Sequence, residues 1–130
     1  MCPVKIYHSL LQGEIGFLLR CLLTDGKALP ECAIKTRKGI KVADVAWASA
    51  ALLEEIKYMA ETDKAPEICV EVVSANNSPQ EMLERQQLYF EAGAQEVWLC
   101  NEKGELAFFN AQRPLPHSVL VPAFPLKIDV

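Results

Sequence analysis

Long apolar runs are missing from this chain. Its longest, Ile15 to Leu23, is interrupted by Gly16, Arg20 and Cys21 and falls far short of a bilayer span. No charged segment followed by an apolar stretch opens the sequence, so no secretory leader is expected and a cytoplasmic location is. The five cysteines, Cys2, Cys21, Cys32, Cys69 and Cys100, have no Cys-x-x-Cys spacing. An odd number scattered through apolar segments argues against a zinc or disulfide framework and for reduced, buried thiols. Excess positive charge is also missing: 13 Lys and Arg face 17 Asp and Glu, a net charge of -4. Such a chain does not coat nucleic acid non-specifically, although a local basic patch can still contact it. There is no internal repeat and no low-complexity tract. What remains, 130 residues with 51% apolar and 23% charged side chains, is expected to form a single globular domain over residues 1–130.

The most informative stretch is Pro66-Glu67-Ile68-Cys69-Val70-Glu71-Val72-Val73-Ser74. A β-branched run bounded by proline and a Ser-Ala-Asn-Asn-Ser cluster reads as a strand buried on both faces. A carboxylate in its middle is costly unless it is paired or binds a metal. Upstream, Val42-Ala43-Asp44-Val45-Ala46-Trp47 is a second apolar strand with a single acid. Side by side, the two strands bring Asp44 and Glu71 together, a hard-cation arrangement of the kind that holds Mg²⁺ through one or two carboxylates and waters. Strand parity puts Val42, Asp44 and Ala46 on one face and Cys69, Glu71 and Val73 on one face of theirs.

Along the chain, His8 to Leu23 has helical apolar spacing at Leu11, Ile15, Leu18, Leu19 and Leu22, with Ser9 as cap and Asp25-Gly26 as stop. Cys32 to Thr36 and the Asp44 strand flank the turn Arg37-Lys38-Gly39 and predict a hairpin. Ala48 to Tyr58 is helix-compatible. Ser78-Pro79 opens a helix that runs to Gly93 and carries Met82, Arg85, Tyr89 and Ala92 as a sheet-facing stripe, in which Arg85 is the only charge. Glu96 to Asn101 and Glu105 to Asn110 form a second hairpin. Ser118 to Val121 and Leu126 to Val130 are expected as short edge strands. The order α-β-β-(α)-β-α-β-β implies an α/β or α+β fold, a mixed sheet flanked by helices.

On Asp44 in Val-Ala-Asp-Val-Ala, the Glu71 segment, Tyr89-Phe90-Glu91-Ala92-Gly93-Ala94-Gln95-Glu96-Val97-Trp98 and the closing Pro122-Ala123-Phe124-Pro125, the chain resembles the Uma-two family, a restriction-endonuclease-like group of the PD-(D/E)xK nuclease superfamily. The similarity runs from Met1-Cys2-Pro3 nearly to the C-terminus. The resemblance implies a restriction-endonuclease-like core and Mg²⁺- or Mn²⁺-dependent hydrolysis of DNA phosphodiester bonds. It implies Asp44 and Glu71 as metal ligands, with the backbone carbonyl of Val72 completing the site. The superfamily's lysine, which this family carries on the following helix, falls on Arg85. A guanidinium cannot serve as a general base, although it can hold a phosphate or stabilise charge. Ala43 replaces the proline before the first acid, and Asn101 stands where many relatives have an acid.

Other readings stand beside these. Asp44 and Glu71 can be structural, and a desolvated Glu71–Arg85 ion pair can replace the cation altogether, which would make the chain a catalytically impaired binding or assembly module. Glu14 is a candidate accessory acid or an exposed residue of its helix. His8 reads as a capping or surface histidine, or as a ligand. Lys35, Arg37, Lys38 and Lys41 form a basic cluster suited to phosphate contacts, or simply a solubilising hairpin tip. Trp98 and Phe108-Phe109, followed by proline-rich edges, suggest apolar surface to be covered in a homo-oligomer.

Overall fold

The computed structural model describes residues 5–130. Cys2 and the Met1-Cys2-Pro3 segment lie outside the described residues. Helix α1 (Ile6–Leu22) is followed by β1 (Gly26–Thr36), β2 (Gly39–Ser49), α2 (Ala50–Ile56), β3 (Ile68–Val72), α3 (Pro79–Glu91), β4 (Glu96–Cys100), β5 (Leu106–Phe109) and β6 (Pro114–Leu115). The strands form one six-stranded sheet in the order β1-β2-β3-β4-β5-β6. It is a mixed sheet: β3 and β4 are parallel, joined through α3, and every other neighbouring pair is antiparallel.

The helices take opposite faces. Leu11, Ile15 and Leu19 of α1 pack with Val45, Ile68, Val70, Val72 and Trp98, while Tyr89 of α3 packs with Ile34, Ala43, Cys69 and Val97. Strand β3 is therefore covered on both sides, and all five of its residues are buried. This is the reason its sequence is a continuous apolar run and not an alternating one.

Several boundaries differ from the sequence reading. Helix α1 starts at Ile6 with Lys5 at its N-cap and no side-chain cap, so Ser9 lies inside the helix. The helix is held by its buried stripe, and tertiary packing replaces the local signal. Strand β1 begins at Gly26, well before Cys32, and runs through Pro30. As the edge strand of the sheet it tolerates a residue without an N–H. Helix α3 opens as expected: the Ser78 side chain accepts from Glu81 N, Pro79 occupies the first turn, and Gly93, at φ 116°, follows its end. Ser118–Val121 and Leu126–Val130 are not strands. The first segment supplies hydrogen bonds to Glu96, and the second forms an isolated bridge between Lys127 and Glu105 and places Ile128 in the core.

Trp98 and Phe108 are core residues, stacked edge to face at 5.0 Å, so these strands do not offer the apolar surface expected of an interface. Exposed large apolar side chains lie elsewhere, among them Ile6, Leu10 and Phe17 on α1, Tyr58 and Met59 after α2, and Leu83 on α3. The cysteines Cys21, Cys32, Cys69 and Cys100 are free thiols, and Cys21, contrary to expectation, is exposed. No described helix is long and apolar enough to cross a membrane.

Candidate functional site

The antiparallel register of β2 on β3 runs Trp47↔Ile68, Ala46↔Cys69, Val45↔Val70. One step further it brings Asp44 level with Glu71. There the ladder stops, and the Asp44 side chain takes over from the β2 backbone: Oδ2 accepts the Val72 N–H at 2.7 Å. The β1–β2 ribbon also changes face at this point. Ala43 packs with Cys69 and Tyr89 on the α3 side, whereas Val45 packs with α1. The β1–β2 register passes directly from Pro30↔Val45 to Cys32↔Ala43, and Glu31, opposite Asp44, sits at φ 51°. Simple alternation along β2, which grouped Val42, Asp44 and Ala46, therefore fails at the acid itself. The irregularity re-aims one side chain, as bulges beside functional sites do.

Helix α1 closes the Asp44 side of the site. Gln12 Nε2 donates to the Asp44 carbonyl at 2.8 Å, and His8 Nε2 lies 3.5 Å from Asp44 Oδ2. Four residues apart, the two share one helix face. His8 is thus neither a cap nor a surface residue, and the sequence reading passed over Gln12. Glu14 belongs to the same helix, but it hydrogen-bonds to neither acid; Gln12 and His8 occupy the place expected of it.

Helix α3 closes the Glu71 side. The Tyr89 hydroxyl donates to Glu71 Oε1 at 2.5 Å, and Arg85 Nη1 lies 3.4 Å from each carboxylate oxygen. Arg85 therefore points at the acid, as its place in the stripe predicts. Glu71 is 3% exposed. Burial, and then the neighbouring Asp44 charge, push its carboxyl up to about 8, against the lowering influence of Tyr89 and Arg85. The pair Asp44–Glu71 thus carries less negative charge near neutrality than two free carboxylates would. A hard cation seated between them would reverse that balance.

The donor set suits such a cation: carboxylate oxygens and main-chain carbonyls are the ligands of Mg²⁺, which keeps several waters and uses few protein groups. The described residues contain no group of three or more His, Cys, Asp and Glu side chains placed to hold a metal. The Arg85 guanidinium stands against the same oxygens and would compete with the cation.

The basic cluster divides. Arg37 pairs with Glu91 at 3.0 Å and Lys38 with Glu84 at 3.0 Å, which docks the β1–β2 hairpin tip on α3. Lys35 is exposed and Lys41 half-buried. A different acid, Glu96, shows what full internal satisfaction looks like. Buried at the start of β4, it accepts from Trp98 Nε1, Ser118 Oγ, Val119 N and Leu120 N at 2.6–2.9 Å.

Comparison with known proteins bears on this geometry. A crystal structure described as "a putative nuclease belonging to DUF820", from Anabaena variabilis ATCC 29413, superposes with a TM-score of 0.76 at 14% identity, covering 98% of this chain and 80% of that one. At that identity the likeness is one of fold: a mixed sheet with helices on both faces, shared with a nuclease-fold protein. No curated protein matches the chain. The model of the family Uma2, described as "Putative restriction endonuclease", matches residues 1–124. That span holds both acids, the α3 arginine and tyrosine and all six strands of the sheet, and the chain belongs to this family.

Proposed function

We propose that residues 1–130 act as a single restriction-endonuclease-like domain, a divalent-metal-dependent nuclease that hydrolyses DNA phosphodiester bonds. The observation that carries this reading is the acid pair itself: two acids brought level by β2 and β3 register, one of them, Glu71, held in a costly buried environment. In it, Asp44 and Glu71, with the Val72 carbonyl beside them, hold Mg²⁺ or Mn²⁺. When bound, the ion supplies charge neutralisation at the scissile phosphate and a more acidic water.

The protein's own groups do the rest. Asp44 is fixed by the Val72 N–H and flanked by His8, so one of its oxygens is committed to position. Tyr89 orients Glu71 from behind. Arg85, with a side chain 26% exposed, is able to reach a phosphate oxygen and offset its charge. It is not a base. Lys35 and Lys41 are available for phosphate contacts along the hairpin, whereas Arg37 and Lys38 must first leave their carboxylate partners.

One observation favours a second reading. Arg85 Nη1 stands equidistant from both Glu71 oxygens, the geometry of an ion pair that takes the cation's place. The chain would then be a nuclease-fold binding or assembly module.

Titration with Mn²⁺ separates the two. A true site raises the melting temperature by mass action, about 2.7 kcal/mol at a hundredfold excess over Kd, and the rise vanishes in Asp44→Asn. Nicking of supercoiled plasmid in Mn²⁺ then reports chemistry. Arg85→Lys, which restores the family's usual residue, is expected to raise it, and Glu71→Ala to abolish it. A melting temperature indifferent to Mn²⁺ in both wild type and Arg85→Lys would overturn the nuclease reading.

A further inference from the structure

Strands β3 and β4, the parallel pair, end at Val72 and Cys100. In open sheets with parallel strands, ligands bind outside the carboxyl ends of such strands. A cleft of about 480 Å³ opens there, lined by Lys5, Tyr7, His8 and Leu11 from α1 and its start, Val72 to Asn76 after β3, and Glu102 after β4. It adjoins the site above, because Val72 and His8 both touch Asp44.

The walls are built, but their polar groups are not used up. The loop after β3 folds on itself through Ser74 N and Asn77 Oδ1, 3.0 Å apart, and is tied across the cleft where Ala75 N donates to Glu102 Oε1 at 2.8 Å. That bond pins the Glu102 carboxylate and leaves Oε2 with no protein donor among the described residues. The Tyr7 hydroxyl and the Asn76 side chain likewise have no partner there, and Tyr7 is 40% exposed.

We propose that this cleft is a base pocket, taking one unpaired guanine of the DNA strand whose phosphate lies at Asp44 and Glu71. The inference rests on the nuclease reading and names its substrate preference. The volume accommodates a nucleoside. Tyr7 supplies an aromatic face on which a base stacks. Glu102 offers the free Oε2 and the second lone pair of Oε1 in one plane, a match for the adjacent N1–H and N2–H donors of guanine, which adenine lacks and inosine has only in part. Those donors lie on the Watson–Crick edge, so the base must be unpaired or turned out of the duplex to present them. Preference for single-stranded or distorted DNA follows.

The test is equilibrium binding of the wild-type protein, in Ca²⁺, to fluorescent single-stranded oligonucleotides that differ at one position: guanine, inosine or adenine. Guanine is expected to bind tighter than adenine by about tenfold or more, with inosine between. Glu102→Gln, which keeps an acceptor for Ala75 N and loses the second, should bring the three within about twofold of each other, and Tyr7→Leu should weaken all three equally, since stacking is tolerant of base identity. Equal affinities in the wild type overturn the pocket while leaving the nuclease reading standing. Guanosine monophosphate bound as tightly as the oligonucleotide would mark a free-nucleotide site and overturn the DNA assignment. Failure to bind any oligonucleotide overturns pocket and nuclease reading together.

Discussion

Replacing Glu71 with Gln should stabilise the metal-free protein at neutral and mildly alkaline pH. In the folded chain the Glu71 carboxyl lies near 8, against an ordinary 4.5, with burial the main cause. Between those two values the unfolded chain has released a proton that the folded chain still holds, so stability falls as pH rises through this window. Below it both states are protonated and there is no cost; above it the loss is complete. At 1.36 kcal/mol per pH unit, the penalty reaches about 3 kcal/mol by neutral pH. Gln does not pay it, but it gives up charge-assisted hydrogen bonds from Tyr89 and Arg85, worth roughly 1–2 kcal/mol together. The net gain near pH 7 is therefore about 1–2 kcal/mol, and larger by pH 8, a rise of several degrees in melting temperature for a chain of this size. Thermal unfolding in a chelating buffer, followed from pH 4 to 9 for both proteins, measures it directly. Wild type should lose stability across the window, and the variant should not. A wild-type profile that is flat between pH 5 and 8, or a Glu71→Gln protein less stable than wild type at pH 8.5, would refute the reasoning.

Asp44→Ala should cost about 1–3 kcal/mol of stability even without metal, because the Val72 N–H loses its acceptor; urea unfolding checks this. Glu96→Gln should destabilise by about 3 kcal/mol or more, since an amide cannot accept from all of the donors gathered on that carboxylate, yet leave the Mn²⁺ response per folded molecule unchanged. Of the described thiols, Cys21 should react with a disulfide reagent in the native protein, whereas Cys69 and Cys100, buried and raised in pKa by desolvation, should react only on unfolding; peptide mapping after timed labelling distinguishes them.

How far the sequence could be read depended on whether a feature was settled locally. The apolar run of β3 and the Ser78-Pro79 start of α3 carry their own instructions, and the order of elements followed from them. The start of α1 did not, because no side chain caps it and burial of Leu11, Ile15 and Leu19 fixes it instead. The C-terminal segments looked like strands by composition, but Ser118, Val119 and Leu120 spend their polar groups on Glu96, 22 to 24 residues earlier. No local pattern announces such a pairing. The approach of His8 and Gln12 to Asp44 was equally hidden. Helical spacing puts both on one face, but only the irregularity at Glu31 and Asp44 decides which strand residue they meet.

The contrast between Glu71 and Glu96 carries the functional argument further than either acid alone. By sequence they are alike, each a single carboxylate at an apolar strand. Glu96 is held by neutral donors from a tryptophan, a serine and two main-chain amides, and it faces no like charge among the groups that bond it. That is a carboxylate serving the fold. Glu71 is set level with Asp44, is 3% exposed, and is only partly compensated by a phenol and by an arginine at 3.4 Å. Replacing it with an apolar or neutral residue would have served stability better. A fold that keeps such a position opposite another acid, beside a cleft with unused polar groups, is holding strain of the kind found where a ligand supplies the missing charge. On the proposed reading, Arg85 supplies part of that charge without a cation, and guanidinium and metal would compete for the same two oxygens, a competition that would set the balance between binding module and nuclease.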